Sequence, residues 1–296
     1  MMDEVATGLV APRRVAGLSQ MAGEYDLILC DIWGVVHNGV RAFPAACDAL
    51  ARARAGGASV VLVSNAPRPA DFVATLLERL GVPEGTYDAI VTSGDVTRAV
   101  LSERSGARVY HLGPPRDIGT FDGLGLTMTD LDVADLVVCT GLFDDEVETP
   151  QDYAERLAAM RARNLFFICA NPDIVVERGS RLIYCAGAIA QLYDEMGGDT
   201  LYCGKPHKPI YDTALARGRA LRDGAIGEGR VLCIGDALRT DIIGATAAGF
   251  DSLFIASGIH AEELNAKEGA EPDAAALSNL FSGHAHPRGV MPRLAW

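Results

Sequence analysis

Short apolar runs alternate with segments of helical period along almost the whole chain. "YDLILCD" (25–31) reads as a strand buried on both faces, because its apolar residues follow one another without the alternation of a half-exposed strand. "FPAACDALARARAGG" (43–57) reads as a helix stopped by glycine. "SVVLVSN" (59–65) is the next strand and "PRPADFVATLLERLG" (67–81) the next helix. Toward the other end, "RVLCIGD" (230–236), "DIIGATAAG" (241–249) and "DSLFIAS" (251–257) repeat strand, helix, strand. Such alternation predicts an α/β fold with mainly parallel sheets.

Between these two groups lies a second set of elements. "YDAIVTS" (87–93), "ARVYHLG" (107–113), "ADLVVCTG" (134–141) and "NLFFICAN" (164–171) read as strands, and "DVTRAVLSERSG" (95–106) and "PQDYAERLAAMRARN" (150–164) as helices. The expected organisation is a core built from 1–82 and 200–296, interrupted by an inserted α/β unit over 83–199. From Ser257 onward the chain reads as two short helices and a Pro/Gly-bearing tail. The tail's His284 and His286 are expected to be solvated, since no carboxylate or third histidine is placed to complete a metal site with them.

Composition narrows the functions available. A chain of 296 residues is long enough for two domains, and 49% hydrophobic with 22% charged residues is ordinary for a globular protein. The formal charge of −13 argues against nucleic acid or an anionic membrane surface as partner, because both need clustered cations. No run approaches the roughly 18 apolar residues of a membrane span. The opening "MMDEVATGLVAPRRVAG" has no apolar core of leader length. Seven cysteines, an odd number, lie mostly in apolar runs and form neither metal-ligand spacing nor a disulfide framework, so buried thiols in a cytoplasmic protein are expected.

Three core strands end in polar groups: Asp31, Ser64 with Asn65, and Asp236. Ligands of open parallel sheets bind at the carboxyl ends of the strands, so these side chains are expected to converge on one crevice. Lys205, held by glycine and proline in "YCGKPHKPIY" (202–211), lies just beyond the insertion. Any one such residue serves equally well as a helix cap or an Asx turn. Two carboxylates, a lysine and a hydroxyl together suit phosphoryl transfer, with a cation such as Mg²⁺ needed between the carboxylates.

At these residues the chain resembles the haloacid dehalogenase superfamily of hydrolases. Within it the chain is most similar to the p-nitrophenyl-phosphatase and pyridoxal- or sugar-phosphatase-like proteins, which have a Rossmann-like core and a large α/β cap. Asp31 in "CDIWGVVHNG" falls on the nucleophile, and "GVVHNG" on the turn and flap that open the site. Ser64 in "VSNAPR" falls on the phosphate-binding hydroxyl, Lys205 in "GKPHKP" on the motif lysine, and Asp236 and Asp241 in "GDALRTD" on the acidic positions. "ANPDIVV" supplies Asn171, Pro172 and Asp173 of a cap element. The resemblance implies a Mg²⁺-dependent phosphatase of small phosphorylated metabolites such as sugar phosphates, working through an aspartyl-phosphate on Asp31. It implies Mg²⁺ held by Asp31, the Trp33 carbonyl and Asp236, with Asp241 behind them. Ser64, Asn65, Asn171 and Asp173 would meet substrate. Arg68 is a candidate for the same role, with surface solvation as the alternative. Dimers are the commonest homo-oligomers of soluble proteins, so a homodimer is the assembly to consider if the chain self-associates.

Trp33 departs from the family pattern, which places there an aspartate that protonates the leaving group and activates water. General acid–base catalysis contributes about 10²–10⁴-fold, so slow hydrolysis favouring good leaving groups is expected unless another group such as His37 takes over. A dehalogenase is a rival, since those enzymes carry an aromatic residue at this position. The acidic pair Asp236 and Asp241 and the short interval from Asp31 to Ser64 oppose it. A phosphate-binding regulatory protein without turnover is the other alternative.

Overall fold

A computed structural model describes residues 12–178, 181–222, 226–283 and 286–296. In chain order the first elements are β1 (Leu27–Asp31), α1 (Pro44–Ala55), β2 (Ser59–Ser64), α2 (Ala70–Arg79), β3 (Ala89–Thr92) and α3 (Ser93–Ser102). Then come β4 (Arg108–Leu112), β5 (Thr127–Met128), β6 (Leu136–Cys139), α4 (Ala154–Ala162), β7 (Phe166–Cys169), β8 (Val175–Arg178), β9 (Arg181–Tyr184), α5 (Ala186–Glu195) and β10 (Asp199–Tyr202). The chain closes with α6 (Lys208–Leu221), β11 (Val231–Gly235), α7 (Ile243–Ala247), β12 (Asp251–Ile255), α8 (Ala274–Leu280) and β13 (Gly289–Met291).

Two parallel sheets result. The first has the order β13-β12-β11-β1-β2-β3 and the second β10-β7-β6-β4-β5, while β8 and β9 form a separate antiparallel hairpin. All five residues of β1 are buried, as a central strand covered on both faces requires. Pro44 opens α1, where its missing N–H costs nothing, and Gly56 caps its end. Thr92 and Asp95 form a reciprocal capping box that starts α3 directly at the end of β3.

Strand pairing moves both expected boundaries of the insertion. Ala89–Thr92 pairs with β2 and belongs to the first sheet, so the chain leaves that sheet after Thr92 rather than near residue 83. Asp199–Tyr202 pairs with β7 in the second sheet, so the return comes after Tyr202. The tail is likewise more than a tail, for Gly289–Met291 pairs with β12 and forms the sheet edge. His286 is exposed, and His284 lies outside the described residues. All seven cysteines are buried. No helix among the described residues is long and apolar enough to cross a membrane.

The two sheets share buried apolar surface. Leu29, Val61 and Val63 of the first sheet belong to the same cluster as Val109, Val138 and Ile168 of the second, joined by Val96 and Leu101 of α3 and Ile210 and Ala214 of α6. Other faces are covered separately, the first sheet by α1 and α2 and the second by α4 and α5.

Candidate active site

Strand order reverses between β1 and β11, since the chain runs outward through β2 and β3 on one side and through β12 and β13 on the other. The crevice beyond the carboxyl ends of the strands at such a switch point is where open α/β sheets bind ligands. Cys30 pairs with Ile234, so Asp31 stands level with Gly235 and Asp236 projects one residue further. On the other side Asp31 is level with Val63, which brings Ser64 to the same edge. A cleft of about 1070 Å³ opens there, lined by Asp31, Trp33, Ser64, Asn65, Asp173, Lys205, Asp236 and Asp241, with the hairpin residues Val175, Val176, Arg181 and Leu182 on its far wall.

Lys205 is the centre of the charge arrangement. Its Nζ donates to Asp31 Oδ1 and, at 2.7 Å, to Asp241 Oδ1, and all three side chains are buried. Burial works against the ammonium, but Asp241 and Asp31 outweigh it and hold its pKa well above the usual lysine value. Burial raises Asp31, to about 7, with Lys205 opposing the rise. Asp236 is pushed up by burial first and by Asp31 and Asp241 after it. One lysine therefore does not neutralise three buried carboxylates.

Their geometry suits a cation. Asp31, Asp236 and Asp241 each offer an oxygen within 4.8 Å of the others, which is the hard-oxygen set that a divalent ion such as Mg²⁺ takes. Backbone N–H groups orient two of them: Ile259 donates to Asp236 Oδ2 at 2.8 Å, and Ala237 donates to Asp241 Oδ2 at 3.1 Å. Glycines make the space. Gly34 turns with φ +81°, and a Cβ there would lie 2.1 Å from Asp236 Oδ2. A Cβ on Gly258 would lie 1.8 Å from the same oxygen. Neither glycine, nor the Ile259 amide, stands out in the sequence, where both glycines look like ordinary turn residues.

Asn65 ties the two sheets together at the site. Its Oδ1 accepts from the Lys205 backbone N–H at 2.7 Å, and its Nδ2 donates to the Lys205 carbonyl at 3.1 Å and to Asp173 Oδ1 at 2.9 Å. Ser64 Oγ accepts from Ala66 N–H at 3.1 Å and keeps its own proton to donate into the cleft.

Two expected substrate contacts sit elsewhere. Arg68 does not line the cleft; its Nε donates to Asp117 Oδ1 at 2.6 Å, and Asp117 is buried in the turn that follows β4. The guanidinium is an ion-pair tether between the sheets, with a partner that no local pattern around Arg68 announces. Asn171 also stays out of the cleft, its Oδ1 accepting from the Asp173 N–H at 3.1 Å and so shaping the loop that carries Asp173.

Trp33 lines the cleft with its ring edge-on to His37, at 5.0 Å between centroids and 74° between planes. Gly39 lies beneath the indole, where a Cβ would come within 2.6 Å of it. His37 does not replace a missing acid. Only 1% exposed, it does not line the cleft, its Nδ1 accepts from the Gly39 N–H at 2.8 Å, and burial lowers its pKa to about 4. It is a neutral packing partner of Trp33.

A parallel sheet carrying a buried aspartate–lysine pair at its switch point, with a loop and hairpin of the inserted α/β unit walling the same cleft, defines a capped α/β hydrolase. The chain belongs to the haloacid dehalogenase-like hydrolase family. Residues 28–127 match the model described as haloacid dehalogenase-like hydrolase, and residues 202–280 a HAD-hydrolase-like model. The structure of a haloacid dehalogenase-like hydrolase from Brucella suis 1330 superimposes with a TM-score of 0.83 at 47% identity, covering 96% of this chain and 99% of that one. A D-glycerol 3-phosphate phosphatase of Mycobacterium tuberculosis is 32% identical over 257 residues, which span 82% of this chain and 66% of that longer relative. A glycerol phosphate phosphatase from the same organism, solved in complex with magnesium, has a TM-score of 0.63 at 29% identity and covers 87% of this chain and 78% of that one.

Proposed function

We propose that the protein is a Mg²⁺-dependent phosphatase of small phosphate monoesters, acting through an aspartyl-phosphate on Asp31. The observation that carries this reading is the placement of Asp31 at the end of β1, bonded to Lys205 and within one cation's reach of Asp236 and Asp241. The phosphatases among its relatives support it.

Asp31 attacks phosphorus in line and takes the phosphoryl group. Lys205 offsets charge on the phosphoryl oxygens, and the Ser64 hydroxyl donates to one of them. Asp31, Asp236 and the Trp33 carbonyl would hold Mg²⁺, with Asp241 beside them, and the ion would supply charge neutralisation of the phosphoryl group and the carboxylates. Asn65 fixes the Lys205 backbone and so the reach of its ammonium. The Asp173 loop and the β8–β9 hairpin wall the far side of the cleft and select the alcohol. Trp33 carries no acid, so turnover depends on how the remaining groups of the cleft handle the leaving oxygen.

The test is phosphate release from p-nitrophenyl phosphate and a panel of sugar, nucleotide and glycerol phosphates, with Mg²⁺ and with chelator. Release that needs Mg²⁺ and disappears in Asp31→Asn is expected. A folded wild-type chain that binds Mg²⁺ and phosphate yet releases none from any ester would instead make this a phosphate-binding protein, the reading that Trp33 favours.

A further inference from the structure

An alkyl ester leaves as a strongly basic alkoxide, so some group must give the departing oxygen a proton. Trp33 is no source of one, because the indole N–H is a donor that does not ionise in this range. In-line attack by Asp31 also sends the leaving oxygen to the side of phosphorus away from β1, toward the wall formed by the loop after β7 and the β8–β9 hairpin.

Of the carboxyls and lysines that line the cleft, most have other partners or stand exposed. Asp236 and Asp241 are held by backbone N–H groups in the cation cluster, and Lys205 lies between Asp31 and Asp241. Glu262 is 88% exposed and paired with Lys267. Glu268 is exposed on the outer lip. Asp173 differs from all of these. It sits on the loop after β7, half-buried, with Oδ1 fixed by Asn65 Nδ2, while no described residue bonds Oδ2.

We propose that Asp173 is the general acid, and in the second step the general base, of the reaction that starts at Asp31. This rests on the phosphatase reading above. As an Asp31 oxygen bonds to phosphorus and the P–O bond to the alcohol breaks, the Asp173 carboxyl passes its proton to the leaving oxygen. The resulting carboxylate then takes a proton from the water that attacks the aspartyl-phosphate. Phosphate leaves, and Asp31 and protonated Asp173 are restored. The Asn65 bond holds the carboxyl in place through both steps. Burial raises the pKa of Asp173, which favours the protonated form the first step needs.

Asp173→Asn tests the proposal, because the amide oxygen can still accept from Asn65 while the acid is lost. The readout is a rapid-mixing comparison of p-nitrophenyl phosphate, whose phenolate leaves unaided, with glycerol phosphate, whose alkoxide does not. The variant is expected to release about one p-nitrophenolate per site and then stall. Its release of glycerol should fall by about 10²–10⁴-fold. Equal losses on both esters, or no loss on either, would overturn the role of Asp173. The wild-type chain gives a check that needs no variant: its rate should depend only weakly on the leaving group's basicity, and a steep dependence counts against any acid in the cleft. Wild-type release that persists in Asp31→Asn would instead remove the phosphatase reading, and the acid with it.

Discussion

Replacing Lys205 with methionine isolates the electrostatic problem at the heart of the site. The stem keeps its volume, but the ammonium between Asp31 and Asp241 disappears, and the three side chains are only 5, 10 and 5% exposed. Removing one partner of a buried pair typically costs about 3–5 kcal/mol, because the remaining charge is stranded. The carboxyls can escape by taking protons, which fixes the sign of the pH dependence. Asp31 sits at about 7 against an ordinary 3.8 even with the lysine pulling it down, and losing the lysine moves it higher. A carboxyl whose folded pKa lies above its unfolded one binds extra protons in the folded state. Its stabilising effect is complete at low pH and is lost as pH rises from about 4 through 7. Each such carboxyl changes stability by up to about 1.4 kcal/mol per pH unit. In chelator, Lys205→Met should therefore lose about 3–5 kcal/mol at pH 8, or some 10 °C in melting temperature, and much less at pH 5. Mg²⁺ should restore part of the loss at pH 8. Urea titrations at the two pH values decide the matter: a penalty below about 1 kcal/mol at pH 8, or one equal at both, would refute the account of an under-neutralised cluster.

Two further outcomes follow from close approaches. Gly258→Ala puts a methyl 1.8 Å from Asp236 Oδ2, so the carboxylate must leave the Ile259 N–H. Mg²⁺ affinity by calorimetry should drop by about 10-fold or more, alongside an overpacking cost of about 1–3 kcal/mol. Gly23→Ala, where a Cβ meets nothing within 4 Å, is the matched control and should change neither. Arg68→Met and Asp117→Asn should each destabilise, with a coupling of about 0.5–3 kcal/mol in the double-mutant cycle. Additive losses in that cycle would mean the tether carries no energy.

Much of the site could be read from the sequence because it sits where apolar strands end. Asp31, Ser64 and Asp236 follow runs that only a buried parallel strand explains, and sheet topology then brings them together. Strand pattern does not say which sheet a strand joins. Ala89–Thr92 and Asp199–Tyr202 are apolar enough for either, and hydrogen-bond register decides. Gly289–Met291 is too short to show any period. Arg68 has an ordinary loop sequence, and its Asp117 partner lies 49 residues away. His37 is polar in sequence, yet the Gly39 amide and the Trp33 ring take up its capacity.

The shared apolar layer beneath α3 and α6 bears on how this molecule moves and how it can be altered. Both Asp173 and Lys205 stand directly beyond strands of the second sheet, β7 and β10, and Asn65 clasps them from the first. Asn65 and the packing of α6 on β2 and β3 hold Lys205 to the first sheet, so a rocking of the second sheet would carry Asp173 away from the cleft while the lysine stayed on Asp31. The insertion is thus a poor candidate for exchange as a module. A transplanted second sheet would have to bring its own carboxyl to the place of Asp173, within reach of Asn65.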